Sequence, residues 1–431
     1  MIARLFWSTV GLAIQYKLGR RRRAVLLRVS KITLPSGISF SPEALTVVIG
    51  PNNGGKSRFL KDIKTSLTTP RAPMQSISEI GIDALPTWHG ALDRVAANLK
   101  NDENGNLIFD RLDVDLVEAH QRRYQHADLK SYMVAAPRQG NDQQQLSAQE
   151  IFGSLFLANL GTSERLNLVR RQTKASPNVS GPGSVAAALR DAAPRVSEWI
   201  NKQVRDAFGC DLLVDDSEPF QVGLVLGDAS SVTDNYLKRR DELSKLRRAE
   251  DQGDGIRAFC GVVTAVATTD RTIVLIDEPE AFLHPPQALL MGRALARLES
   301  IGAQVFVATH SAEILRGIIG ETSDVQVLRL SQTASGFHSK LIPTQQIKNI
   351  SNDPLLSSTR VLDGLFYRGV VIAESDADVA IYRRVLEDFD GSGSVHFLNA
   401  YGKSASIKMT TPDVTPWFPP AGIRAQQLCC A

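Results

Sequence analysis

Cysteine is scarce in this chain. Its 431 residues hold four: Cys210, Cys260, Cys429 and Cys430. They form no C-x-x-C pair and no zinc-type spacing, which argues against a disulfide framework or a zinc module and points to a reducing, cytoplasmic compartment. Long apolar runs are also missing. No stretch reaches the ~18 residues of a membrane-spanning helix, so no membrane partner is expected. Net charge is only +3, so the whole-chain balance does not mark a nucleic-acid binder, although a local patch could. No internal repeat is found. The charged stretch 234–251 has an apolar seam too short for a coiled-coil arm. What the chain does have is apolar material, 43% of it, ample for packed cores, in a length that predicts about two to three domains.

The first 28 residues read as a disordered leader. "LFWSTVGLAI" (Leu5 to Ile14) precedes "RRRR" (Arg20 to Arg23), the reverse of a secretory signal, which carries its charge before the apolar core. A weak membrane-surface or nucleic-acid contact is the alternative, but charge runs are usually solvated. Order begins at Val29. "TVVIG" (Thr46 to Gly50) is a β-branched run leading into a glycine-rich loop. "KSRFLKDIKTSL" follows with Phe59, Leu60, Ile63 and Leu67 on one helical face. Residues 66–250 read as a variable, largely helical insert. "SVAAALRDAAPRVSEWINKQVRDAF" is predicted helical with a break near Pro194, and the charged stretch 234–251 is predicted helical with Asp241 and Lys245 at i,i+4 spacing. From Gly253, helices alternate with the short apolar runs "TIVLID" and "AQVFVATH". This pattern predicts an α/β domain with a mixed, mainly parallel sheet.

Three elements carry chemistry. "GPNNGGKS" (Gly50, Pro51, Asn52, Asn53, Gly54, Gly55, Lys56, Ser57) fits G-x-x-x-x-G-K-[ST] between a strand and a helix. Such a loop turns consecutive N–H groups into one concavity at a helix N-terminus. Lys56 then supplies charge for β- and γ-phosphates, and the Ser57 hydroxyl can reach Mg2+. "TIVLIDEPEAFLHP" delivers Asp277 and Glu278 at a strand end. There Asp277 would contact Mg2+ through a water, and Glu278 would be the general base. The alternative for this pair is capping of the next helix. In "VFVATHS", His310 leaves the following strand, where it can hydrogen-bond a γ-phosphate or place the water. Alone, such a histidine is more often structural.

In the order "GPNNGGKS", "GDGIR", "LIDEPEAFLHP", "VATHS", the chain resembles the ATP-binding-cassette (ABC) ATPases. It resembles most the non-transporter branch with the OLD (overcoming lysogenization defect) nucleases and relatives of DNA-repair and chromosome-maintenance ATPases. The match is dense over residues 29–64 and 252–316. The resemblance implies an ABC-type P-loop ATPase head over residues 29–365, with ATP and Mg2+ as ligands. It makes Gly253, Asp254 and Gly255 the counterpart of the ABC signature, departing from LSGGQ, with N–H groups offered to the γ-phosphate on a facing subunit. The implied active unit is a head-to-tail homodimer, with His284 and Pro285 near the interface. Double-stranded DNA and an effector protein are the implied partners. The glutamine that completes an ABC site is left open between Gln139 and Gln143 to Gln145, and Arg138 carries only a weak case for a phosphate or DNA contact.

Residues 366–431 resemble the start of a Toprim domain. "GVVIAESDAD" reads as strand then helix, with Glu374 at the position of a metal ligand or general acid/base and Asp376 and Asp378 at the helix start. Helix capping is an equal reading for those aspartates. Ile381, Val385 and Leu386 fall on one side of the helix. A Toprim site also needs an Asp-x-Asp strand, and after "YGKSASIKM" the text is proline-rich with none. The expectation is therefore an incomplete segment, from a truncation or a frame change near Ser404. The leading functional reading is a Mg2+-dependent ATPase acting as a dimerising switch in DNA metabolism or phage defence. The alternatives are an ATP-regulated DNA endonuclease and, last, a transporter ATPase, against which "EPEAFLHP" speaks.

Overall fold

The computed structural model describes residues 27–84, 100–101, 107–112, 114–116, 119–124, 153–174, 183–233, 235–298, 302–322, 324–333, 336–343, 345, 347, 361–387 and 395–399. Residues 1–26 of the leader, Arg138, Gln139, Gln143 to Gln145, Cys429, Cys430 and the stretch from Tyr401 onward lie outside them, whereas Leu27 and Arg28, read as leader, already belong to the strand Leu27–Thr33.

The central sheet has six strands: β1 (Leu45–Ile49), β2 (Leu157–Leu160), β3 (Ile273–Asp277), β4 (Gln304–Ala308), β5 (Val325–Thr333) and β6 (Gly336–Ile342). Their order is β6-β5-β1-β4-β3-β2. All neighbours are parallel except the edge pair β5 and β6, so the sheet is mixed and mainly parallel, as expected. Strands β1 and β4 are buried at every position, which explains their continuous rather than alternating apolar runs.

Side chains alternate across the sheet with period two. Val47 and Ile49 enter one core; Val48 enters the other. On the Val48 face lies α1 (Lys56–Thr68), through Phe59, Leu60, Ile63 and Leu67, together with Leu27, Val29 and Ile32 of a small antiparallel sheet. The opposite face is covered by α2 (Asp254–Thr268), α3 (Pro285–Ala296) and α4 (Ala312–Glu321).

The described residues of the stretch 66–250 include strands as well as helices. The stretch contributes β2 to the central sheet, and its strands Asp211–Asp215 and Gln221–Gly227 pair antiparallel. The helical break near Pro194 is present: helices run Val185–Arg190 and Pro194–Phe208. The charged stretch predicted as one helix is α-helical over Tyr236–Ser244 and ends in a separate 3-10 turn at Ala249–Asp251. Between them Arg247 and Arg248 pair with Leu226 and Val225, where ladder hydrogen bonds outweigh helix propensity. The predicted Asp241–Lys245 pair forms at 2.5 Å, fully in solvent.

At the C-terminal side, β7 (Gly369–Ala373) lies parallel to β8 (Val395–Asn399), with α5 (Asp376–Glu387) between them in sequence. This unit is tied to the head. Arg329 of β5 donates to the carbonyls of Leu365 (3.0 Å) and Tyr367 (2.9 Å), Arg316 of α4 pairs with Asp363 at 3.0 Å, and Val370 and Leu398 join the core. Of the apolar side read for α5, Ile381 and Val385 are 60% and 55% exposed and Leu386 is half-buried.

Candidate nucleotide-binding site

Strands β1, β4 and β3 are adjacent and parallel, so their C-terminal ends converge on one edge of the sheet. Ligands of open α/β sheets bind at such an edge. The loop 50–57 leaves β1, His310 follows β4, and Asp277 ends β3. The three motifs, scattered over 260 residues of sequence (50 to 310), are thereby neighbours in space. A cavity of about 530 Å³ is lined by Asn52, Asn53, Gly55, Lys56, Ser57, Glu278 and His310.

The loop's glycines are required by geometry. Gly50 has φ +143°, and a Cβ there would stand 1.9 Å from the Leu330 carbonyl oxygen of β5. Gly55 has φ +91° and lies against the Phe337 ring of β6. Gly50→Ala should therefore lower stability by more than ~1 kcal/mol, because the backbone cannot yield to the new methyl. Urea unfolding checks this, and an unchanged midpoint would contradict it.

Lys56 is 6% exposed. Its Nζ donates to the carbonyls of Gly50 (3.0 Å) and Pro51 (2.9 Å), folded back on its own loop. Burial pushes its pKa below the ordinary lysine range, opposed by Glu278, Glu280 and Asp277. The Ser57 hydroxyl donates to Asp277 Oδ1 at 3.1 Å, so the two oxygens expected to serve Mg2+ already meet. Burial pushes the Asp277 carboxyl above its usual range, against the Ser57 hydrogen bond. An anionic group in partial burial with a hydroxyl beside it suits a hard, oxygen-seeking cation.

Glu278 has φ +49°, and its N–H donates to the Ala308 carbonyl at 2.7 Å. His310 Nδ1 lies 3.3 Å from Glu278 Oε1 and 3.0 Å from Glu280 Oε1. Among the described residues, four non-glycine positions have positive φ: Asn53, Leu116, Glu278 and Phe282. Three of these belong to the loop and the 278–282 segment, and such strain concentrates at functional sites.

Sequence reasoning missed three residues here. Glu280, 7% exposed, accepts from the Thr309 hydroxyl (2.8 Å) and the His310 N–H (2.7 Å). Its presence inside "EPE" was the available signal; its burial was not visible. Thr309 itself is fully buried. Arg165, also fully buried, donates to the carbonyls of Asp277 and, at 2.5 Å, Glu278. No local pattern marked it.

Gly253, Asp254 and Gly255 open α2 away from this cavity's lining. Asp254 is exposed and pairs with Arg257 at 2.9 Å. Gly255 packs on the backbone of Phe282, and His284 caps α3 with Pro285 at its first turn. The signature candidate and the segment after Glu278 therefore share one surface. Glu374, at the end of β7, is exposed. Asp378 exchanges hydrogen bonds with Ser375 in a helix cap, and Asp376 accepts from Asn399 Nδ2 at 2.6 Å. Among the described residues, no group of three or more His, Cys, Asp or Glu is placed to hold a metal. No helix among them is long and apolar enough to cross a membrane.

Sheet order, loop and convergent carboxylates define an α/β fold with a P-loop-type glycine-rich loop at the carboxyl edge of a mixed, mainly parallel sheet, and the chain is similar to ATPase heads of the AAA and ABC types. Residues 106–316 match the family model described as "AAA domain, putative AbiEii toxin, Type IV TA system". That stretch contains Asp277, Glu278 and His310 and begins after the glycine-rich loop. The chain is 24% identical over 149 residues to the "Old nuclease" of Escherichia phage P2, an alignment covering 32% of this chain and only 25% of that protein. Similar solved structures include an SMC head bound to the C-winged helix domain of ScpA (11% identity, TM-score 0.42, 75% of this chain and 100% of that one). The SMC head domain from Thermotoga maritima matches at 12% identity and TM-score 0.38, covering 73% and 99% of the two chains. An ATP-binding cassette of an ABC transporter in its ADP conformation matches at 13% and 0.30, covering 77% and 97%.

Proposed function

We propose that the chain binds ATP with Mg2+ at Gly50–Ser57 and hydrolyses it, working as one head of a head-to-tail pair. The observation that carries this is the single cavity formed by Lys56, Ser57, Glu278 and His310, with Ser57 bonded to Asp277. Lys56 would exchange the Gly50 and Pro51 carbonyls for phosphate oxygens, which offer a buried ammonium a stronger partner. Ser57 and Asp277 would hold Mg2+, which when bound neutralises charge on the phosphate oxygens. Glu278 would take the proton of the attacking water, and His310 would donate to the terminal phosphate. Gly253–Gly255 would present N–H groups to the nucleotide of the facing head, consistent with their place outside their own chain's cavity.

The wider role we infer is in DNA metabolism or phage defence, with closure of the pair gating contact with DNA or an effector. The stretch shared with the Old nuclease supports this direction. A second reading, metal-dependent DNA cleavage at Glu374, is supported by that relative's name and by the exposed position of Glu374 at a strand end. The engagement of Asp376 and Asp378 in capping and with Asn399 weighs against it.

The direct test is ATP hydrolysis by purified protein, with and without double-stranded DNA, beside Lys56→Ala. The variant should lose nearly all turnover and bind ATP at least tenfold more weakly, an effect of about 1.4 kcal/mol or more. Equal binding by both proteins would remove Lys56 from the phosphate site.

A further inference from the structure

His310 Nδ1 stands between two carboxylates of different character. Glu280 is buried; its Oε1 already accepts from the Thr309 hydroxyl and the His310 N–H, and lies 3.0 Å from Nδ1. Its other oxygen, Oε2, is buried with no hydrogen-bond partner among the described residues. Glu278 is 3.3 Å from the same nitrogen, but its side chain is 35% exposed and lines the nucleotide cavity. One Nδ1 proton cannot serve both oxygens equally. The fixed, desolvated oxygen at the shorter distance is the better acceptor, since hydrogen bonds to charged groups strengthen as water is excluded.

We propose that Glu280 is a positioning residue: it holds the Nδ1 proton of His310, which turns Nε2 toward the nucleotide and leaves Glu278 free to act on water. The inference rests on the ATPase reading for its consequence but not for its geometry. A histidine's tautomer is set by the hydrogen bond its other ring nitrogen makes. Without Glu280, the ring's remaining partner at Nδ1 is Glu278. His310 would then consume the group expected to be the general base. The single residue Glu280 thus keeps two catalytic side chains from quenching one another, using an anchor built from the backbone and hydroxyl of residues 309 and 310.

The test reads the His310 ring directly. In nucleotide-free protein, 15N and 13C ring resonances, assigned by comparison with His310→Asn and followed until titration of the ring is complete, report which nitrogen carries the proton. Wild type should show Nδ1–H. Glu280→Gln keeps an acceptor oxygen and should keep that tautomer. Glu280→Leu should lose it or shift the ring to Glu278, visible as a new pattern that adding Glu278→Ala, which removes the acceptor, then abolishes. In turnover, Glu280→Leu should lower kcat by ~10–100-fold, the range for partners that orient a functional histidine, with KM for ATP nearly unchanged. Glu280→Gln should recover most of that loss. An Nε2–H ring in wild type, or its appearance in Glu280→Gln, overturns the proposal even if Glu280→Leu does not fold. Absence of ATP turnover in wild type would overturn the ATPase reading and leave the tautomer result standing.

Discussion

Glu278→Gln should reduce ATP turnover by ~10²–10⁴-fold, the contribution usual for a positioned general base, while ATP still binds. The substitution preserves shape and removes the only feature at issue, a carboxylate that can accept a proton. Asp277 cannot take over. Its Oδ1 is engaged by Ser57, and it sits at the end of β3 rather than among the residues lining the cavity. The backbone at 278 should not move, because its N–H is held by the Ala308 carbonyl and its own carbonyl by Arg165. Single-turnover hydrolysis and equilibrium binding of a fluorescent ATP analogue separate the two effects. If the proposed head-to-tail pair forms, light scattering with ATP should show the variant held as the closed pair, because hydrolysis would no longer reopen it. Undiminished turnover would take Glu278 out of the general-base role.

The candidate residues easiest to place from sequence were those whose position depends on local order. Lys56 and Ser57 lie next to a buried strand and start a helix, and Asp277 and Glu278 terminate another buried strand. A parallel sheet then necessarily brings such strand ends to one edge. The β-structure within residues 66–250 was harder to see, because its strands are short or charged and owe their state to partners. Arg247 and Arg248 are strand only because Leu226 and Val225 lie alongside. Glu280 was in plain view inside "EPE", but nothing local distinguishes a buried carboxylate from a solvated one. Arg165 was further from reach still, since its partners follow it by 112 and 113 residues.

Replacing Arg165 by Met should destabilise the head by ~3–5 kcal/mol, in the tail reserved for broken buried networks. The side chain is fully buried and its donors are aimed at backbone rather than at a carboxylate: the carbonyls of Asp277 and Glu278, and at 3.3 Å the Gly161 carbonyl and the Thr162 hydroxyl. Truncation leaves these acceptors without a partner, at ~1–3 kcal/mol for each one that water cannot reach. The loss falls where strain is stored. Glu278 holds φ +49°, and a strained residue persists only where its surroundings over-determine it. Arg165→Met should therefore lower turnover more than its stability alone would require, even well below its unfolding midpoint. Arg165→Lys should recover little, because one ammonium cannot reproduce the planar fork that spans two consecutive carbonyls. A rival account is that Arg165 acts by charge, offsetting Asp277, Glu278 and Glu280. Under that account, adding Glu278→Gln to Arg165→Met should restore much of the lost stability. If Arg165 pins the backbone, the added substitution restores almost none, because the unpaired carbonyls remain. Urea unfolding of the two single variants and the double variant distinguishes the accounts, and a wild-type midpoint for Arg165→Met would defeat both.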